Sequence, residues 1–489
     1  MGAALRRTLV PGPLARAPSA KKSVTFGEFA QESLWLTALH LVLASATSVH
    51  VLLRKRDVRA AIGWIGLAWL SPIFGAALYF AFGVNRVHRK ARRLRGLSPS
   101  RTPSPPDARE LSVQDRLAAA VGSVTGLERV DGTVEAVLQS GDEAYPDMLR
   151  AIREARVSIE LSTFIFRTDE AGLPFVEALA AAHGRGVAVR VLIDGMGGGY
   201  FRSAAYRALT RRGVPAARFL HTAWPWRMPL LDLRLHKKAL IVDRRVAFVG
   251  GLNIASENVL ARPTRLPVRD THFRVSGSVV DQIADSFDED WAFTTGDEIK
   301  DAPSSPPSAG PPARAIVSGP DQAVDRLVLV LLSAISSARK TIRVATPYFL
   351  PDERVLTALQ VAALRGVEVR LVTPAANNHR LVAWASDAHV RPLLEAGCRL
   401  YRSAPPFDHS KLMSVDDSWC LIGSANWDTR SLRLNFELTV ELYDVGLATR
   451  LSALIDSKCA LTVSLEELDG KPLPLKLRDA TARLLSPYL

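Results

Sequence analysis

Leu235–Asn258 reads LHKKALIVDRRVAFVGGLNIASEN, and Asp408–Ser431 reads DHSKLMSVDDSWCLIGSANWDTRS. Each stretch holds the pattern H-x-K-x-x-x-x-D, as His236, Lys238 and Asp243 in the first and His409, Lys411 and Asp416 in the second. The two histidines are 173 residues apart, and the same distance separates Asp243 from Asp416, Gly250 from Gly423 and Asn253 from Asn426. One copy could be chance; two copies with matching tails indicate an internal repeat. Side chains on a strand alternate between its faces, so His236 and Lys238 are expected on one face of a strand Leu235–Asp243, and His409 and Lys411 likewise.

The repeat extends upstream, where HGRGVAVRVLIDG (His183–Gly195) matches ALRGVEVRLVTPA (Ala363–Ala375). Hydrophobic periodicity predicts helices over Met148–Ala155 and Leu173–His183 and strands over Ser158–Phe166 and Val187–Ile193 in the first copy. The second copy has helices over Leu327–Ala338 and Val355–Leu364 and strands over Thr341–Phe349 and Val367–Val372. Strands alternating with helices of this length predict, in each repeat, a mixed, largely parallel sheet flanked by helices. Gly186 and Gly366 fall where a helix must stop before the next strand.

Upstream of the repeats, Ser33–Leu53 runs for 21 residues and Ala60–Val84 for 25 without Lys, Arg, Asp or Glu. Each is long enough to cross a hydrocarbon core of about 30 Å, so the two predict a transmembrane helical hairpin turning at Arg54–Arg59. Eleven basic residues flank the pair, Arg6, Arg7, Arg16, Lys21 and Lys22 before it and Arg86, Arg89, Lys90, Arg92, Arg93 and Arg95 after it, against four in the turn. That bias places the bulk of the chain in the cytoplasm. The 489 residues thus divide into a basic tail (1–32), a two-helix anchor (33–84), a basic and Pro/Ser-rich segment (85–115), a first α/β domain (116–301), a linker (302–315) and a second α/β domain (316–489). The net charge of +13 suits anionic lipid or nucleic acid. The apolar runs favour lipid, and no long basic stripe with interleaved aromatics calls for nucleic acid. Cys398, Cys420 and Cys459 have no metal or disulfide spacing and read as reduced thiols.

Lysine is not a usual metal ligand, and an imidazole beside an ammonium, doubled, is a phosphodiester site. One histidine attacks phosphorus while the other protonates the leaving oxygen; the lysines, with Asn253 and Asn426, hold the non-bridging oxygens. The constellation calls for neither metal nor cofactor. Asp243 and Asp416 admit a catalytic role or a turn role. Asp270 in VRDTHF and Glu437 in LNFEL admit orienting the histidines through the second ring nitrogen or plain salt bridging. Gly250, Gly251, Gly423 and Ser424 read as small residues permitting close backbone approach.

The doubled HxKx4D followed by G-G/S-x-N resembles the phospholipase D superfamily from about Asp131 to the C-terminus. TPYFLPDE (Thr346–Glu353), GSANWDTRSLRLNFE (Gly423–Glu437), the closing LLSPYL and the apolar run AAIGWIGLAWLSPIFGAALYFAFGVNR are similar to bacterial cardiolipin synthases. The resemblance implies two tandem phospholipase D-like domains on a membrane anchor in a bacterial inner membrane. It implies phosphatidyl transfer between two phosphatidylglycerol molecules, with His236 carrying the phosphatidyl group and His409 as acid and then base. A phospholipase D hydrolase, a transphosphatidylase with another donor or acceptor, and a membrane-tethered nuclease are the competing readings. The segment before the first motif, HTAWPWRMPLLDLRLHKK, is more apolar than the family pattern. Trp224, Trp226, Met228 and Leu230 beside Arg227 read either as an interfacial wedge or as a loop covering the site.

Overall fold

In the computed structural model, residues 26–55, 58–71, 73–80, 112–221, 233–298, 309–320, 325–484 and 486 are described. The tail before 26, most of the basic and Pro/Ser-rich segment, most of the inter-repeat linker and the tryptophan-bearing loop at 222–232 lie outside them. The chain forms two compact units, Met1–Arg86 and Val87–Leu489.

In the first unit a 29-residue helix, Phe26–Arg54, includes one stretch, Leu34–Arg54, long and apolar enough to cross a membrane. It packs against the second apolar run through Ala44, Thr47, Val51, Ala68, Ala76 and Tyr79, all buried. Trp69 Nε1 donates to Ser48 Oγ (3.0 Å), and His50 Nδ1 lies 2.7 Å from Tyr79 Oη. That second run differs from the single span expected over Ala60–Val84. It is a 13-residue helix, Val58–Leu70, and a five-residue helix, Phe74–Leu78, with Ile73 before the second at φ +58°. The sequence supplies the cause: Pro72 has no N–H to continue the helical ladder and disfavours helical backbone in the residue before it. A β-carbon on Gly75 would lie 2.1 Å from the Leu67 carbonyl oxygen, so only glycine fits that return. Residues 81–84 lie outside the described set.

The second unit contains two mixed sheets. The first runs Thr133–Gln139, Thr271–Ser276, Val246–Gly250, Ala239–Val242, Ser158–Thr163, Ala188–Asp194, Ala216–Phe219. Only its last two pairings are parallel. The second runs Val130–Asp131, Pro312–Ser318, Glu437–Leu442, Trp419–Gly423, Leu412–Val415, Thr341–Ala345, Glu368–Pro374, Arg399–Ser403, Leu461–Val463. There, too, only two pairings are parallel, those of Glu368–Pro374 with its neighbours. The sheets are therefore mixed as expected but mainly antiparallel, which corrects the largely parallel reading. The helix–strand alternation holds only for the upstream part of each repeat. Each motif strand instead folds back as a hairpin, Ala239–Val242 onto Val246–Gly250 and Leu412–Val415 onto Trp419–Gly423.

The inner faces of both sheets share one core with helices Val279–Thr295 and Val445–Ser457, through Ile241, Val249, Phe273, Ile283, Ile422, Val440 and Leu451. Outside, helices Ser140–Glu154 and Leu173–Gly184 cover the first sheet; Arg326–Ser337 and Glu353–Leu364 cover the second. Segments at the start of the first repeat also build into the second. Val130–Asp131 pairs with Pro312–Ser318, and Leu117 and Val121 of helix Val113–Thr125 enter the second repeat's outer core. Gly186 and Gly366, at φ +90° and +87°, terminate the helices before the central strands.

Candidate active site

Each motif begins just before its strand, in a segment held by the other repeat. His236 N donates to Phe436 O (2.9 Å), Phe436 N donates to Arg234 O (2.8 Å), and His409 N donates to Arg269 O (2.7 Å). Phe407–Asp408 pairs in parallel with Val268–Arg269. These short ladders lead into Glu437 and Asp270, and so each histidine meets a carboxylate from the opposite repeat. His236 Nδ1 lies 2.8 and 3.0 Å from the Glu437 oxygens. His409 Nδ1 lies 2.8 Å from Asp270 Oδ2. With Nδ1–H committed to a carboxylate, the nitrogen left for chemistry on each ring is Nε2.

The carboxylates are themselves anchored. Glu437, fully buried, accepts from Ser424 Oγ (2.5 Å) and Asn435 Nδ2 (3.4 Å); Asp270, also fully buried, accepts from Thr271 N (2.7 Å). The glycine pattern reflects this anchoring. A β-carbon on Gly251 would stand 2.4 Å from both Asp270 oxygens, whereas its counterpart Ser424 uses its side chain to hold Glu437. Ser424 thus does more than permit backbone approach.

Lys238 Nζ donates to His236 O (2.7 Å) and Lys411 Nζ to His409 O (2.5 Å), so in each copy the ammonium folds back onto its own histidine's backbone. Lys411 Nζ also lies 3.0 Å from His409 Nδ1, but that nitrogen's proton points to Asp270, so the contact is a charge neighbour rather than a hydrogen bond. Burial pushes the Lys238 ammonium down to about 7 and Lys411 to about 8, against the opposing pull of Glu437 and Asp270. Burial and then Lys411 push His409 down to about 4. His236 moves the same way, through burial and Lys238 against Glu437. Burial would raise both carboxylates, yet Lys411 holds Asp270, and His236 holds Glu437, below the ordinary range. At neutral pH the site therefore holds neutral imidazoles and ionised carboxylates. The fields cross between repeats: Lys411 acts on His236 and Lys238 on His409.

Asn253 Oδ1 accepts from Ile165 N (3.2 Å), while buried Asn426 Oδ1 has no hydrogen-bond partner among the described residues. Asp243 and Asp416 lie at the far ends of the motif strands. Each opens a tight turn with positive φ at two successive residues, 52° and 51° in both copies, as a primed hairpin turn requires. Asp243 accepts the amides of Arg156, Val157 and Ser158, and Asp416 those of Arg339, Lys340 and Thr341, at 2.6–3.1 Å. Of the two readings open for them, this geometry favours the turn.

Several supporting residues escaped sequence reasoning. Lys237 pairs with Asp290 and donates to Ser286 Oγ (2.6 Å) beneath the first motif; Lys458 pairs with Asp408 beneath the second. Asp194 accepts from Leu235 N (2.8 Å), Met196 N (2.8 Å) and Gly197 N (2.7 Å), fixing the entry to the first motif. Phe164 meets the His236 ring edge-on at 5.3 Å and Tyr348 meets His409 at 6.0 Å. No spacing in the sequence marks the long-range pairs among these, which join groups about 40 to 70 residues apart.

The family described as cardiolipin synthase, PLD-like domain, matches residues 148–291 and 331–458, and that described as phospholipase D-nuclease N-terminal matches 42–83. A cardiolipin synthase of Geobacillus kaustophilus is 32% identical over 93% of this chain and 94% of its own. Cardiolipin synthase A of Pseudomonas syringae pv. syringae is 32% identical over 92% and 97%. Among solved structures, phosphatidylserine synthase of Haemophilus influenzae superposes with a TM-score of 0.59 at 15% identity, over 76% of this chain and all of that one, a likeness of fold. With a family match on both repeats and relatives along nearly the whole chain, this protein belongs to the cardiolipin synthase family of the phospholipase D superfamily.

Proposed function

We propose that the chain is a phosphatidyltransferase that makes cardiolipin and glycerol from two molecules of phosphatidylglycerol. The observation that carries the mechanism is the pair of buried imidazoles, each bonded through Nδ1 to a carboxylate of the other repeat. In the first step Nε2 of His236 attacks phosphorus, the bond to the headgroup glycerol oxygen breaks, and His409 gives that oxygen a proton. In the second step a glycerol hydroxyl of the second lipid attacks the phosphatidyl-His236, His409 takes its proton, and the P–N bond breaks. Glu437 and Asp270 orient the rings and stabilise the positive charge that each acquires. Lys238, Lys411, Asn253 and Asn426 hold the non-bridging oxygens, whose charge grows in the five-coordinate transition state. The choice of His236 as nucleophile comes from its place in the first motif.

His409 takes up a proton at Nε2 from solvent as the donor lipid binds, and that is the proton it gives to the leaving oxygen. The imidazole's proton affinity is low in the empty site because of burial and Lys411, and a bound phosphodiester anion offsets that lysine's charge. The apolar N-terminal helix supports a seat in the bacterial membrane. A two-pass anchor with the catalytic unit in the cytoplasm is the arrangement that the basic residues flanking the two apolar runs favour. A fusion at Leu489 to a reporter active only outside the inner membrane should be silent. Supplying phosphatidylglycerol alone to the purified full-length protein tests the reaction: cardiolipin and glycerol mean transfer, and phosphatidic acid means hydrolysis and would overturn it.

A further inference from the structure

Helix Leu473–Leu484, near the C-terminus, leaves large apolar side chains uncovered. Leu473, Leu477 and Leu484 are 67, 58 and 74% exposed, and with exposed Ala480 they recur at the i, i+4, i+7, i+11 spacing of one helical face. Exposed Lys476 and Arg483 border the stripe. The helix's one acidic residue, Asp479, is turned inward, buried and paired with Lys471 and Arg478. An apolar stripe edged by cations and free of anions has the chemistry of a helix lying in an anionic lipid interface.

Its position relates it to the site. Ala482 of this helix packs with Leu350 and Ala385, with Val382 and Trp384 against them, and Arg478 stacks over the Trp384 ring at 4.4 Å. Helix Arg380–His389 is thereby sandwiched against the segment Tyr348–Leu350, where Ser386 Oγ also donates to Phe349 O (2.9 Å). Tyr348 contacts the His409 ring on one side; on the other its Oη donates to Asn378 Oδ1 (2.7 Å) and its ring meets His379 at 5.6 Å. Arg380 and Leu381, just beyond, are exposed as well.

We propose that helix Leu473–Leu484 is an interfacial element that seats the catalytic unit on anionic bilayer, so that lipid reaches the site past Tyr348. The inference rests on the lipid-transfer reading above. Full-length protein carrying Cys459→Ser, which removes the half-buried thiol, and Leu477→Cys labelled with a polarity-sensitive dye, is reconstituted in two bilayers. One is phosphatidylcholine alone and the other an equimolar mixture with phosphatidylglycerol. The dye should shift to the blue in the mixture and be quenched by spin labels at shallow lipid depth, while a dye on an Arg211→Cys variant should not respond. Leu473→Glu/Leu477→Glu should lower turnover in bilayers about tenfold, through lost interfacial burial, and leave turnover of phosphatidylglycerol dispersed in detergent within about twofold. An unresponsive Leu477→Cys dye, disulfide dimers through that cysteine in place of lipid quenching, or a double variant with full turnover in bilayers would each overturn the proposal. Wild-type protein yielding no cardiolipin in detergent would instead refute the reaction and is read separately.

Discussion

Replacing Glu437 by Gln is the sharpest perturbation of the site. The side chain keeps its shape and its acceptance from Ser424, but it loses the charge that opposes a protonated ring and gains an N–H₂ that competes for His236 Nδ1. The preferred tautomer then carries its proton on Nε2, the atom that must attack. The same exchange beside a catalytic histidine in the serine-protease triad costs about 10⁴ in kcat, or about 5 kcal/mol of barrier. Lys238 adds to the loss. Burial already pushes it down to about 7 with Glu437 the largest opposing charge, so removing that carboxylate lowers it further and neutralises the lysine at neutral pH. We therefore expect kcat for cardiolipin formation to fall by at least about 10³, with KM changed much less and the folded state intact. The assay is cardiolipin formed from labelled phosphatidylglycerol in detergent, as kcat and KM across pH, beside a thermal melt of the same preparation. A folded Glu437→Gln protein with kcat within about threefold of wild type would rule out an orienting and charge-stabilising role for Glu437.

Gly251→Ala places a β-carbon 2.4 Å from the Asp270 oxygens and should cost about 10²-fold in kcat by displacing the carboxylate behind His409, whereas Ser424→Ala removes one bond to Glu437 and should cost about tenfold. Asp416→Ala strips three backbone amides of their acceptor and should lower stability by about 2–4 kcal/mol with kcat per folded molecule retained, read by denaturant melts and active-site titration. Lys237→Met removes the ammonium paired with buried Asp290 and should destabilise by about 3–5 kcal/mol, while Lys237→Met/Asp290→Leu should recover most of that, measured the same way. His409 and His272, the latter buried on strand Thr271–Ser276, are each held neutral by burial, down to about 4 when folded, so the unfolded chain binds more protons below pH 6.5. Stability is full above that pH and should fall as pH drops from about 6.5 to 4, by about 3 kcal/mol for each, followed by urea melts along the pH series.

The duplicated motif made the paired histidines and lysines legible, because a constant offset needs no knowledge of the fold. The same offset concealed the carboxylates. Asp270 follows His236 by 34 residues and Glu437 follows His409 by 28, so the two fall out of step. Their crossed pairing arises only when Phe407–Asp408 and Leu235 bridge to the opposite repeat. Sheet direction was misread because helix–strand alternation is a local signal, while the pairing of Thr271–Ser276 with Val246–Gly250 and Thr133–Gln139 is long-range. The turns were more accessible than the motif alone suggests. Asp at the first turn position, between Val242 and Val246 or between Val415 and Trp419, is a residue type that tolerates positive φ. Near the N-terminus two runs of uncharged residues look alike in hydropathy, and Pro72 together with glycines such as Gly75 sets the second, broken run apart from the first.

In the proposed mechanism one imidazole from each repeat serves a single phosphatidyl transfer. Rapid-quench labelling of the full-length protein with phosphatidylglycerol carrying a radioactive phosphate, followed by peptide mapping of wild type, His236→Ala and His409→Ala, tests it most directly. An acid-labile phosphoryl group is expected on the His236 peptide in wild type, none in His236→Ala, and no cardiolipin from either variant. Label on the His409 peptide would reverse the roles, and cardiolipin from either single variant would contradict the two-imidazole site.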